Sequence, residues 1–201
     1  IEAVRQLKWE LGEENSLVIH LTLVPYLSAA AELKTKPTQH SVKTLMESGV
    51  SADIIVCRTE HKLSNAIKNK IALFCNVQNE AVIESIDAET IYDVPILMQK
   101  ERLDKVVLKK LGLSTIKSSK MDRWKVFLDK LKNSDKTVNI GLVGKYVELQ
   151  DSYKSILESL THAGVANEVK VKIITIHSES IEDKNLSEML EKLNGIIVAP
   201  G

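Results

Sequence analysis

Apolar positions along this chain alternate between short continuous runs and helical spacing. Ile1, Val4, Leu7 and Leu11 recur at the period of an amphipathic helix. Residues 16–24 (SLVIHLTLV) are apolar and β-branched and predict a buried strand. After the polar stretch 32–39 (ELKTKPTQ), residues 40–48 regain helical spacing through Val42, Leu45 and Met46, and Gly49 suits the helix end. Residues 52–58 (ADIIVCR) predict a second strand. Residues 65–74 predict a helix with Ile67, Ile71 and Phe74 on one face, and 81–86 a third strand. Residues 90–111 read as mostly helical with a break at Pro95.

The character changes over 114–137 (STIKSSKMDRWKVFLDKLKNSDKT), where seven Lys or Arg face three Asp. Its centre is amphipathic through Trp124, Phe127, Leu128 and Leu131, so it reads as a linker helix at a domain boundary. Trp9 and Trp124 are both read as packing residues. Beyond it, 138–147 (VNIGLVGKYV) predicts a strand feeding a glycine turn. Residues 151–163 predict a helix with Tyr153, Ile156, Leu157 and Leu160 inward. Residues 169–176 (VKVKIITI) predict a strand whose alternating lysines mark a wetter face or an edge. A helix over 186–193 and a buried strand over 195–199 complete a β-α-β-α-β series. Strands alternating with helices throughout predict an α/β protein with parallel sheets, doubly wound in its second part.

Composition narrows the function classes. Aromatics make up only 4% of the 201 residues, so Ile, Val, Leu and Ala must fill the core. Lys plus Arg equals Asp plus Glu at 27 each, which gives no support to bulk attraction to nucleic acid or membrane. No apolar run approaches the roughly 18 residues of a membrane helix, and no signal-peptide pattern is present. Cys57 and Cys75 each lie among apolar residues without metal-site spacing, and read as buried reduced thiols of a cytoplasmic protein. The chain begins inside a helical pattern and stops just after a strand, so both ends are expected to be cuts through a longer polypeptide.

The most pointed local chemistry is 34–39: Lys34, Thr35, Lys36, Pro37, Thr38 and Gln39. Pro37 suits the first turn of a helix, and Thr35 or Thr38 could cap it. A helix N-terminus offers open N–H groups and partial positive charge, and two lysines there make an anion site. The alternative is a solvated loop with ordinary lysines. The run 141–146 (GLVGKY) lacks both Walker A and GxGxxG spacing, so a tight strand-end turn is its default. Pro200-Gly201 after a strand could aim backbone N–H groups into a site, as an oxyanion hole does, or could form a simple turn. The five histidines form no metal-binding spacing, and no residue is assigned to a metal.

Several stretches together resemble the CTP synthase family: IEAVRQL, LKTKPTQHSV, ADIIVCR, KIALFCNV, the IYDVP run at 91–95, VGKYVELQDSYKS and the terminal IIVAPG. The resemblance covers essentially the whole chain, in order. It implies a parallel-sheet, P-loop-like amidoligase domain over 1–113, a linker over 114–137, and the start of a class I glutamine amidotransferase domain over 138–201. It implies ATP-dependent amination of UTP to CTP with glutamine-derived ammonia and Mg²⁺, activation by GTP, inhibition by CTP and a homotetramer. By the same resemblance, residues 34–39 and Lys70 contact UTP and CTP. Arg58 lies near the ATP phosphates, and Ile86, Asp87 and Ala88 lie on the adenine side. Gly201 matches the first glycine of the glutaminase oxyanion strand. The family's P-loop and acidic Mg²⁺ ligands fall before Ile1 and its nucleophilic Cys after Gly201, so catalysis by this piece alone is not expected. A non-catalytic module that binds or assembles around pyrimidine nucleotides is the alternative. Another amidotransferase-linked ligase would explain 138–201 but not LKTKPTQ.

Overall fold

The structure, a computed structural model, describes residues 1–114, 120–149, 151–182 and 186–200. It divides into two compact units, Ile1–Lys120 and Met121–Gly201. Both are α/β with parallel sheets, the class that the alternation of strands and helices predicts.

In the first unit, α1 (Glu2–Leu11) precedes β1 (Ile19–Leu23), a short hairpin of β2 (Tyr26–Leu27) and β3 (Glu32–Leu33), and α2 (Lys36–Glu47). Then come β4 (Ile54–Thr59), α3 (Asn65–Phe74), β5 (Val82–Ile86), α4 (Val94–Lys100) and α5 (Leu103–Lys110). The sheet runs β1-β4-β5, all parallel. Successive residues of a strand point to opposite faces. Ile55 and Cys57 of β4 therefore pack with Val42 and Ile71 from α2 and α3, while Ile54 and Val56 pack with Ile83 and Val106 on the other side.

Four expectations need correcting here. β1 is not buried on both faces: Ile19, Leu21 and Leu23 are 45%, 65% and 54% exposed, because α4 and α5 cover β5 and β4 but do not reach β1. In α3 the packed stripe runs through Ile67, Ile71 and Cys75, and Phe74 is exposed. Pro95 does not break a helix but sits in the first turn of α4, where its missing N–H costs nothing. The break comes at Arg102, which adopts a left-handed φ of 63°. Trp9 packs against little, being 87% exposed on a helix with no buried residue.

The second unit consists of α6 (Asp122–Asn133), β6 (Lys136–Gly144), α7 (Lys154–Ala166), β7 (Val169–His177), α8 (Leu186–Leu190) and β8 (Gly195–Val198). Helix α6, within the stretch read from sequence as a linker, packs on α7: Phe127 meets the His162 ring edge-on at 5.9 Å, and Lys130 pairs with Glu168 at 2.8 Å. The sheet runs β7-β6-β8, all parallel, so β6 is central. Lys170 and Lys172 lie on β7, an edge strand, as their alternation suggested. β8 is also an edge and is not buried as expected: Ile196 is 46% and Val198 76% exposed.

Candidate functional site

The carboxyl ends of β1, β4 and β5 converge on one edge of the first sheet. Ligands collect at this edge in parallel α/β sheets. The ladder continues past β1 through Val24 N–H, which donates to the Arg58 carbonyl at 2.8 Å. The chain then leaves the sheet at Pro25 through the β2–β3 hairpin, which Lys34 N–H closes by donating to the Pro25 carbonyl at 2.9 Å. Lys34 is thereby delivered to the start of α2.

Thr38 fastens that helix to the sheet. It is fully buried, donates its hydroxyl proton to the Leu23 carbonyl at 3.0 Å, and shares a 3.2 Å hydrogen bond with the Thr22 hydroxyl. Thr35 occupies the N-cap position, but neither threonine caps with its side chain. The Thr35 hydroxyl instead accepts from the Gln39 side-chain amide at 3.0 Å. The first-turn amides of α2 are thus without a side-chain cap, the arrangement in which helix N–H groups remain open to an anion. Lys36 and Pro37 are exposed in this turn. Lys34 is half exposed and its ammonium meets Glu32 at 3.1 Å. A surface pair of this kind contributes about 0–1 kcal/mol, so a multiply charged ligand displaces it at small cost.

Across the same edge, Arg58 pairs with Asp87 at 3.1 Å, both substantially exposed. Asp87 N–H donates to the Thr59 carbonyl at 3.0 Å, and Ile86, the last residue of β5, lies in register with Thr59. Ala88 follows, half-buried. The structure therefore gathers Arg58, Ile86, Asp87 and Ala88 at one strand-end edge with residues 34–39. Lys70 is separate: it is exposed on α3, and among the described residues no hydrogen bond or ion pair ties it to residues 34–39. Gly201 lies outside the described residues.

Sequence reasoning missed Tyr26 and His61, whose rings meet edge-on at 4.2 Å at this edge. It also missed Thr59, buried and donating to the His61 carbonyl at 2.9 Å. Nothing in the local sequence marks the ring contact, which joins a hairpin and a loop 35 positions apart, whereas the Thr59 bond is local and closes the turn after β4. A groove of about 930 Å³ in the first unit is lined by none of the anticipated residues. Two charge pairs lie in its lining, Lys68 with Glu101 and Lys109 with Glu80, each at 2.6 Å.

Comparison with known proteins decides the family. Residues 1–113 match the family model described as CTP synthase N-terminus. Over its full 201 residues the chain is 67% identical to a CTP synthase of Christiangramia forsetii and 66% identical to one of Flavobacterium johnsoniae. This chain belongs to the CTP synthase family. It is also 55% identical along its whole length to a CTP synthase of Bacteroides fragilis. It spans 37–38% of the length of these relatives. In this chain the lysine-bearing start of α2 and the Arg58–Asp87 pair occupy one strand-end edge of a parallel sheet. Among the described residues, no helix is long and apolar enough to cross a membrane.

Proposed function

We propose that this chain supplies the pyrimidine-nucleotide contacts of an enzyme that aminates UTP to CTP with ATP, using ammonia released from glutamine. The observation that carries the reading is the seating of α2. Buried Thr38 ties its first turn to the carboxyl end of β1, and Lys34 and Lys36 stand beside amides that no side chain caps. A nucleoside triphosphate carries about four negative charges, and charge-assisted hydrogen bonds to lysine and amide N–H are the strong ones. Lys34, Thr35, Lys36, Pro37, Thr38 and Gln39 line the triphosphate of UTP, or of CTP acting as inhibitor. Lys70, which stands apart from them on α3, is assigned to the same nucleotide by the family resemblance alone.

The Arg58 guanidinium suits an ATP phosphate because its present partner, Asp87, is exposed and easily exchanged. Ile86 and Ala88 offer apolar contact for the adenine. The described residues do not make a magnesium site: no group of three His, Cys, Asp or Glu converges among them. No step of this reading is routed through the ion. The second unit serves as the opening of the glutamine-hydrolysing domain, with Gly201 in its oxyanion turn. GTP activation, a cytoplasmic location and a homotetramer sharing the nucleotide site complete the proposal, with 1–113 as synthetase, 114–137 as connection and 138–201 as glutaminase.

The test uses the full-length protein with Lys34→Ala and Lys70→Ala. Each raises the KM for UTP at least tenfold, corresponding to about 1.4 kcal/mol, and weakens inhibition by CTP. Unchanged UTP and CTP kinetics in both variants would remove the assignment. A pyrimidine-binding module without catalysis would bind UTP but form no CTP in the same assay.

A further inference from the structure

His61 presents an exposed imidazole just past the carboxyl end of β4. Its backbone is held on both flanks. The buried Thr59 hydroxyl donates to the His61 carbonyl at 2.9 Å and accepts the His61 N–H at 3.3 Å. Two residues further on, the Leu63 N–H donates to the Glu84 carboxylate of β5, and the Leu63 side chain is buried in the core.

The ring is held as well. Tyr26, the first residue of the β2–β3 hairpin, meets it edge-on, with centroids 4.2 Å apart and planes at 61°. Such a contact orients both rings and can leave a polar tip facing water. Among the described residues, neither ring nitrogen of His61 has a hydrogen-bond partner. Ordering an exposed side chain costs entropy. Here a turn and a hairpin both order one imidazole, at the sheet edge where ligands collect, and leave its nitrogens unengaged.

The surroundings select the ligand. Arg58 stands three residues before His61, and the Asp87 N–H ties the start of this turn to the end of β5 through the Thr59 carbonyl at 3.0 Å. Lys62 is exposed and forms no ion pair among the described residues. Arg58 and Lys62 outweigh Glu60, so the turn is cationic even with a neutral imidazole. An imidazole N–H beside a guanidinium is a donor suited to a phosphate or ribose oxygen.

We propose that His61 is a further ATP contact, donating from a ring nitrogen to the nucleotide that Arg58 meets, with Tyr26 as the residue that positions its ring. This rests on the reading of Arg58 as an ATP residue.

The experiment uses the full-length protein and measures CTP formation at varied ATP and, separately, at varied UTP. His61→Ala should raise the KM for ATP about fivefold and the KM for UTP less than about twofold. His61→Gln, whose amide can still donate, should recover part of the loss. Tyr26→Leu should raise the KM for ATP about threefold, and Tyr26→Phe, which keeps the ring, should restore it. An unchanged KM for ATP in His61→Ala overturns the proposal. So does a rise shared equally by ATP and UTP, which marks a structural role, or one confined to UTP, which puts the imidazole with α2. A Tyr26→Leu protein with the wild-type KM for ATP overturns the positioning role. An Arg58→Ala protein with that same KM would instead overturn the ATP reading of this edge.

Discussion

The Thr38 hydroxyl lies 3.0 Å from the Leu23 carbonyl, and through this contact the first turn of α2 is bound to the end of β1. Thr38 itself is fully buried and the bond is partly so, and removing the hydroxyl leaves the Leu23 carbonyl without this partner. Thr38→Val keeps the shape and is expected to lower stability by about 1–3 kcal/mol. In full-length protein it should also raise the KM for UTP, because the lysines of the turn lose their fixed support. Thr38→Ser, which retains the donor, should restore most of the UTP affinity. Thermal melts alongside UTP titration check both effects.

Cys57 is buried beneath α2 and α3, and burial pushes its thiol up to about 11. The folded thiol therefore holds its proton more tightly than the unfolded one. Its contribution to stability is complete below pH 9, the ordinary value, and is lost as pH rises towards 11. The slope in that window is about 1.4 kcal/mol per pH unit. Cys57→Ala should flatten the alkaline arm of stability against pH, as followed by urea unfolding. In the native wild-type protein, iodoacetamide at pH 8 should label neither Cys57 nor Cys75, since burial also raises the Cys75 thiol.

Two glycines separate a cheap substitution from a costly one. At Gly141 the tight contact of a Cβ would be the flexible tip of Leu193, at 2.5 Å, with Ile176 at an ordinary 3.6 Å. At Gly164 it would meet the Val169 carbonyl oxygen, a backbone atom, at 2.8 Å. Gly164→Ala gains about 0.5–1 kcal/mol of helix propensity but forces α7 from β7, an overpacking cost of about 1–3 kcal/mol. Its Tm should fall below that of Gly141→Ala. The reverse order would show that the α7–β7 approach is softer than the geometry implies.

The uncovered side of β1 gives a solubility prediction. Ile19, Leu21 and Leu23 form an apolar row on an edge strand. Exposed rows of this kind on a sheet edge promote association. The 201-residue chain expressed by itself should self-associate, and Leu21→Lys should reduce this in light scattering. A monodisperse wild-type chain would contradict the expectation.

Local signals in the sequence proved legible where the cause was local. Helix α3 runs over 65–74 as its spacing predicts, with Ser64 accepting the Ile67 N–H at its start. The start of α2 at Lys36 was legible through Pro37, which reads as a first-turn residue, although the helical spacing itself shows only from residue 40. Arg102 shows no sequence feature that would forecast its left-handed backbone. The exposure of Leu21 and Trp9 depends on what covers them, which no pattern within a strand or helix encodes. At the candidate site, Lys34 to Gln39 stood out by their own chemistry. The pairing of Arg58 with Asp87 depends on strands that meet only after folding.

Helix α1 has no buried residue, and its tie to the sheet runs through Asp53, whose carboxylate accepts from the Lys8 ammonium at 3.3 Å and the Val18 N–H at 2.8 Å. Its adhesion is therefore largely ionic, whereas the sheet beneath it is held by oil-like packing. Raising the ionic strength should peel this helix away while leaving the strands intact, so Gly12 becomes the point at which the molecule first yields to a protease.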